Sequence, residues 1–189
     1  QRRFAKAEAA LRRALALDPG KAEVLYNLGV ALDRQYRFDE AAPVYRQAIA
    51  LRPDHFASQF NLGLALVRLG EFAEADAAFA RAIAMEPGSI DAHWNRSMIR
   101  LALGDLENGF ALYECRERKP DVVVTRTIDA PRWTGAEDIA GKTVFVHAEQ
   151  GLGDTIQFFR YAAALRDRGA RVIVAVQPAL VPLLTGALD

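Results

Sequence analysis

A single cysteine, Cys115, stands in the 189 residues, so no internal disulfide can staple the chain. That scarcity is compatible with a reducing compartment, and the cytoplasm is the expected location. Cys115 itself reads as a packed side chain. With three scattered histidines beside one cysteine, no set of residues has metal-ligand spacing, and no metal site is expected. Long apolar runs are missing too: none approaches the roughly 18 residues of a membrane-spanning helix. Neither sign of charge is in excess, because 24 Lys and Arg oppose 24 Asp and Glu. No net field therefore draws the chain to nucleic acid or to an anionic membrane, and neither is expected as a partner. An initiating methionine is also lacking, and the first residues enter partway into a pattern that later recurs whole. The N-terminus accordingly reads as truncated, and a leader could have preceded it.

What remains is a globular composition, 51% apolar and 25% charged. The length suits one large domain or two small ones, and the change of periodicity described below favours two.

Proline recurs at Pro19, Pro53 and Pro87, 34 residues apart each time. Alignment on these prolines superposes YNLGVAL (Tyr26 to Leu32) on FNLGLAL (Phe60 to Leu66). It also places Phe38, Ala41, Tyr45 and Ala48 on Phe72, Ala75, Phe79 and Ala82. Small residues at such spacing let two helices cross closely, aromatic residues fill the gap, and proline ends the second helix because its ring blocks continuation. The pattern resembles the tetratricopeptide repeat family. It divides the chain into a half repeat over 1–21 and full repeats over 22–55, 56–89 and 90–117. The last keeps Gly104, Phe110 and Tyr113 but has Arg96 and Ser97 in place of Leu-Gly and no proline at 121, as befits a terminal repeat meeting a different neighbour.

The resemblance implies that the first helix of each pair lines a concave groove. One position there repeats as Asn27, Asn61 and Asn95, preceded by Tyr26, Phe60 and Trp94. An asparagine amide both donates and accepts, so such a ladder can pair with the backbone of an extended peptide, and it is similar to that of O-linked N-acetylglucosamine transferases. The alternative is that the asparagines only knit adjacent helices together. The last inner helix offers Asp91 and Asn95 where a clamp for a terminal carboxylate needs basic residues, so a chaperone-tail clamp is rejected.

Beyond Lys119 the helical period stops, and residues 118–142 read as a connector with one short extended segment at VVVT. Over 143–189 the runs TVFVHA and RVIVAV have strand length and are apolar throughout, the pattern of strands buried on both faces. Between them TIQFFRYAAALRDRG carries Ile156, Phe159, Ala163, Ala162 and Leu165 at helical spacing and stops at Gly169. The fold class expected is therefore α plus α/β: a helical superhelix followed by a partial, Rossmann-like βαβ unit.

The loop HAEQGLGDTIQ then sits at the carboxyl end of the first strand, where open α/β sheets bind ligands. Two phosphate motifs fail there. The GKT at Gly141 precedes the strand, with Gly135 one residue too far upstream for a P-loop, and the dinucleotide fingerprint finds Ile156 where its third glycine belongs. The stretches PRWTG, GKTVFVHAEQGLGDTIQFFRY and RGARVIVAVQPAL resemble instead the start of a GT-B glycosyltransferase of the heptosyltransferase-like group found behind bacterial tetratricopeptide repeats. That resemblance implies Asp154 as the base for an acceptor hydroxyl, with Gly151, Gly153, Thr155 and Gln150 facing an anionic group from a helix N-terminus. The same residues DTIQ also read as a capping box, Asp154 as N-cap and Gln157 three positions on. His147 reads as packed, and Glu149, Arg160 and Tyr161 as surface.

Two functions follow. In one, the chain is a fragment of a bacterial glycosyltransferase whose repeats recruit a peptide or protein acceptor, inactive by itself, needing no cofactor, with a nucleotide sugar bound only by the full-length parent. In the other it is a non-catalytic repeat adaptor. In either, an uncovered sheet edge predicts cover by the repeats, through Trp133, or self-association.

Overall fold

The structure, a computed structural model, describes residues 2–118, 129–149 and 151–187. The chain divides into two compact units, 1–118 and 119–189, taken in turn below.

The first unit is helical throughout. Helix α1 (Arg2–Leu17) is followed by the antiparallel pairs α2 (Ala22–Asp33) and α3 (Phe38–Leu51), α4 (Phe56–Leu69) and α5 (Phe72–Met85), and α6 (Ile90–Ala102) and α7 (Leu106–Tyr113), ending in a 3-10 turn over Glu114–Arg118. Helices α1, α3 and α5 stop two residues before Pro19, Pro53 and Pro87, as the missing N–H of proline requires. Each helix packs on the next in the chain. The core consists of the repeated small and aromatic residues: Ala41, Tyr45 and Ala48, then Ala75, Phe79 and Ala82, are almost wholly buried.

The close crossing of each pair is set by glycine. A Cβ at Gly29 would lie 2.5 Å from the Tyr45 ring, and one at Gly63 would lie 2.8 Å from the Phe79 ring. The turn inside each pair repeats as well. It takes a left-handed residue at Tyr36 (φ 63°), Gly70 (φ 78°) and Gly104 (φ 82°), each closed by the next residue's N–H onto the preceding helix: Arg37 to Leu32, Glu71 to Leu66, and Asp105 to Arg100. Ser89 and Asp105 cap α6 and α7 with their side-chain oxygens.

The last repeat departs from the others where it meets its predecessor. Arg96 and Arg100 occupy the positions of the core leucines Leu62 and Leu66, and Asp76 that of Ala42. Asp76, with 13% of its side chain exposed, receives Arg96 Nε at 3.0 Å and Arg100 Nη2 at 2.5 Å, while Arg100 Nη1 reaches Asp105 at 2.8 Å.

In the second unit, β1 (Thr143–His147) and β2 (Arg171–Ala175) pair in parallel, Thr143 opposite Arg171 through His147 opposite Ala175, with α8 (Leu152–Asp167) between them in the chain. A 3-10 turn over Pro178–Leu180 leads into α9 (Val181–Leu184). The segment before β1 belongs to this unit. Ile139 is buried, Gly141 N–H donates to Gly169 O at 2.8 Å, and the Arg168 guanidinium lies 5.1 Å from the centre of the Trp133 ring.

Three expectations are corrected here. The strands are not buried on both faces: Phe145 and Ile173 are 38% and 45% exposed, because two strands carrying one long helix leave a sheet face open among the described residues. Ile156 on α8 is likewise exposed, and only Ala162 of the apolar helix positions is buried. The capping box is absent. Helix α8 starts at Leu152 with Gly151 as N-cap and no side-chain cap, which makes Asp154 the third residue of its first turn. The VVVT segment lies outside the described residues.

Candidate functional site

Along α2, residues 26, 27, 30 and 33 share one stripe, because a helix advances 100° per residue and these return to the same side within about two turns. The same stripe on α4 and α6 carries Phe60, Asn61, Leu64 and Val67, then Trp94, Asn95, Met98 and Leu101. Each leading aromatic packs on the aromatic 19 residues later: Tyr26 on Tyr45 at 6.3 Å, Phe60 on Phe79 at 5.5 Å, and Trp94 on Tyr113 at 5.1 Å between ring centres. Tyr26 further meets His55 edge-on at 4.9 Å.

The three asparagines stand in three different states. Asn27 is exposed. Asn61 is half-buried and lies beside the Tyr45 hydroxyl of the preceding repeat. Asn95 donates its amide to Asp91 O, one turn back on its own helix, at 2.8 Å. The chemistry of the neighbouring ring explains the split: Tyr45 presents an oxygen to Asn61, whereas Phe79, at the equivalent position facing Asn95, has none.

Tyr45 is held by Asp33, whose Oδ2 accepts the phenol proton at 2.7 Å while its Oδ1 is buried without a partner among the described residues. Burial pushes the Asp33 carboxyl above its ordinary range, against the lowering effect of the Tyr45 hydrogen bond. Burial and the Asp33 charge together push the Tyr45 phenol well above its ordinary value. Sequence reasoning missed this pair. The signal was available in the columns: Asp33 with Tyr45 becomes Val67 with Phe79 and Leu101 with Tyr113, so both polar groups of the first set vanish together in the second.

At the crest of the β1–β2 pair, Gly151, Gly153 and Asp154 are exposed, and Thr155 donates its hydroxyl back to Gly151 O at 3.1 Å. Gln150 lies outside the described residues. Neither glycine takes a left-handed φ, and a Cβ at either would meet no atom closer than 3.7 Å. Their effect is to leave the space above the helix N-terminus empty. His147, at the end of β1, has a buried Nδ1 without a hydrogen bond to the described residues and stacks on Phe145 at 6.1 Å. Arg160 and Tyr161 contact each other on the exposed side of α8.

Antiparallel helix pairs repeated at a fixed interval, each crossing at a glycine under an aromatic ring, define a helical-repeat solenoid. Residues 1–56 match one family model described as tetratricopeptide repeat, and residues 34–95 match a second with the same description. Together the two matches cover residues 1–95, which carry tetratricopeptide repeats. Among solved structures the chain is similar to MamA, at 24% identity and a TM-score of 0.60, over 62% of this chain and 69% of that one. A structure of MamA AMB-1 matches at 26% identity and 0.56, over 59% and 61%. It is also similar to YrrB, described as a TPR protein with an unusual peptide-binding site, at 22% identity and 0.58, over 64% and 62%. The chain thus spans between about three fifths and seven tenths of the length of these structures, and the likeness is one of fold. No curated protein matches the chain.

Proposed function

We propose that the repeats hold an extended peptide along the stripe of Tyr26 and Asn27, Phe60 and Asn61, and Trp94 and Asn95. The exposed Asn27 amide carries this reading, because it is the member of the ladder free to pair with a peptide backbone. The adjoining Met98, 46% exposed, offers apolar surface for a side chain. The description of YrrB as a peptide-binding TPR protein supports the same role. In peptides selected on the wild-type chain, Asn27→Ala is expected to lower affinity on the order of tenfold, the worth of about one hydrogen bond, and to leave the melting temperature unchanged. Unaltered affinity in that variant removes the ladder. Asn61→Ala is the poorer probe, since it also alters the surroundings of the Tyr45 hydroxyl.

A second reading concerns the βαβ unit, which we take as the start of a heptosyltransferase-like glycosyltransferase domain whose acceptor is recruited by the repeats. The space kept open by Gly151 and Gly153 beside Asp154 favours it over a plain adaptor. In that reading Asp154 takes the proton of the acceptor hydroxyl, and the nucleotide-sugar donor is held by further parts of a full-length parent. Because Asp154 is not the N-cap, Asp154→Asn tests the chemistry with little structural penalty. In an active parent it is expected to reduce transfer by about 10² to 10⁴ with the melting temperature nearly constant. Full turnover in that variant leaves the adaptor.

A further inference from the structure

We infer that the peptide on the stripe of Asn27 and Asn61 is acidic along its length, with side-chain carboxylates set against Arg34 and Arg68. This rests on the stripe reading and adds to it the chemistry of the ligand. Arg34 and Arg68 follow Asn27 and Asn61 by seven residues, about 20° short of two full turns. Each arginine therefore stands on the same side of its helix as its asparagine, about 10 Å further along the axis. Both arginines are exposed.

Neither is engaged by the fold. Among residues 22–113 every other arginine has a partner: Arg37 with Glu8 and Glu40, Arg46 with Glu74, Arg52 with Asp54, Arg81 with Gln59, and Arg96 and Arg100 with Asp76. Arg34 and Arg68 have no hydrogen bond or ion pair among the described residues. Asp33, next to Arg34 in the chain, is near enough for the charges to be felt, but its Oδ2 is taken by the Tyr45 hydroxyl. An arginine near a helix C-terminus also complements the helix dipole, an effect that shows in stability and not in the choice of ligand.

The other charges on the stripe lie at its far edge. Glu23 and Asp91, four residues before Asn27 and Asn95, are eleven residues from the positions of Arg34 and Ala102, roughly 16 Å along the helix. The stripe is therefore polarised across its width, acidic where α2 and α6 begin and basic where α2 and α4 end. Ala102 takes the arginine column in the last repeat, so the cationic edge spans two repeats. Helices α2 and α4 approach each other, and packed helices lie roughly 8 to 10 Å apart. An extended chain advances about 3.3 Å per residue, so carboxylates two or three positions apart reach both guanidinium groups. A guanidinium offers paired N–H donors that match a carboxylate better than a carboxamide, which selects glutamate over glutamine.

The test uses the whole chain and a pool of decapeptides randomised over Glu, Gln, Leu and Ser, acetylated and amidated so that neither chain end carries charge. Selection on the wild-type chain is expected to enrich Glu over Gln, in pairs two or three positions apart. The double variant Arg34→Gln, Arg68→Gln is expected to lose that preference at a nearly unchanged melting temperature. In calorimetry on one selected peptide, either single variant is expected to lower affinity about two- to fivefold, less as salt is raised, and Arg34→Lys to keep part of the affinity. Asn27→Ala is expected to weaken that peptide and its glutamine counterpart by the same factor. Equal selection of Glu and Gln, or a Glu preference that survives in the double variant, overturns the acidic ligand. Where peptides selected without that preference still depend on Asn27, the stripe reading stands alone. Failure to select any peptide overturns both.

Discussion

Two junctions in the first unit solve one packing problem in opposite ways. Where α4 meets α3, Leu62 and Leu66 close on Ala42 in an apolar seam. Where α6 meets α5, the same three positions hold Arg96, Arg100 and Asp76, joined by charge-assisted hydrogen bonds. Apolar seams are stabilised by the area they remove from water and tolerate any neighbour of the right shape. A seam of two arginines and one aspartate is weak evidence for stability, since desolvation offsets the attraction, but it accepts only a partner of matching charge. The first junction is therefore generic, and the second is specific to the pair of repeats it joins.

The sharpest way to break this contrast is Asp76→Ala, which leaves both arginines half-buried without their shared acceptor. It is expected to lower stability by about 2 to 3 kcal/mol in urea melts. The triple change Asp76→Ala, Arg96→Leu and Arg100→Leu copies the Ala42, Leu62, Leu66 seam and is expected to match or exceed the wild type. A triple variant less stable than Asp76→Ala alone contradicts the equivalence of the two seams.

Next in size is the pair under Gly29. Tyr45→Phe leaves both Asp33 oxygens without a donor and is expected to cost about 1 to 2 kcal/mol, while Asp33→Val with Tyr45→Phe, the set found at Val67 and Phe79, recovers most of it. Acid should separate the two carboxylates in opposite directions. Asp33 is pushed up by burial, so the folded state holds its proton more tightly than the unfolded chain does. Its contribution is full below the ordinary value near 3.8 and is lost as pH rises through its higher folded value. Asp76 is also pushed up by burial, but the hydrogen bonds from Arg100 and Arg96 outweigh that and hold it low. Its contribution is present above 3.8 and is lost as pH falls through its folded value. Between about pH 7 and about pH 3, the advantage of wild type over Asp76→Asn is expected to shrink, whereas Asp33→Asn, the more stable form at neutral pH, loses its lead.

The smallest effect is a gain. Tyr36, 74% exposed, takes the left-handed turn position that later repeats give to Gly70 and Gly104. Tyr36→Gly is expected to raise stability by about 1 kcal/mol, less whatever its edge-on contact with Phe38 contributes. A loss on that substitution would mean that the ring contact outweighs the backbone strain.

These junctions mark how far sequence reasoning reached. The prolines at 34-residue spacing, the glycines under their rings and the buried alanines were legible, because each has one packing role that repeats. Arg96 was visible as a departure, yet its partner was not. Asp76 lies 20 residues away on another helix, and only the column Glu8, Ala42, Asp76 and Phe110 marks it as the place facing both arginines. The start of α8 was misread for a local reason: Asp154 and Gln157 have capping-box spacing, but the helix begins two residues earlier at Leu152, and spacing alone does not say which turn is the first. The burial of β1 and β2 was overread because an apolar run reports what a strand can tolerate, and what covers it depends on residues elsewhere.

The arginine seam also bears on how such a chain can change by duplication and loss. Excising residues 56–89 keeps the 34-residue phase but brings Ala42 against Arg96 and Arg100, stranding two cations in a closing interface. Excising residues 22–55 instead leaves Asp76 with both its arginines, but it exchanges Gln35 and Arg37, which hold the Glu8 carboxylate, for Leu69 and Glu71. Each polar seam thus ties a helix to the repeat that follows it, and the last repeat is inherited together with the one before it.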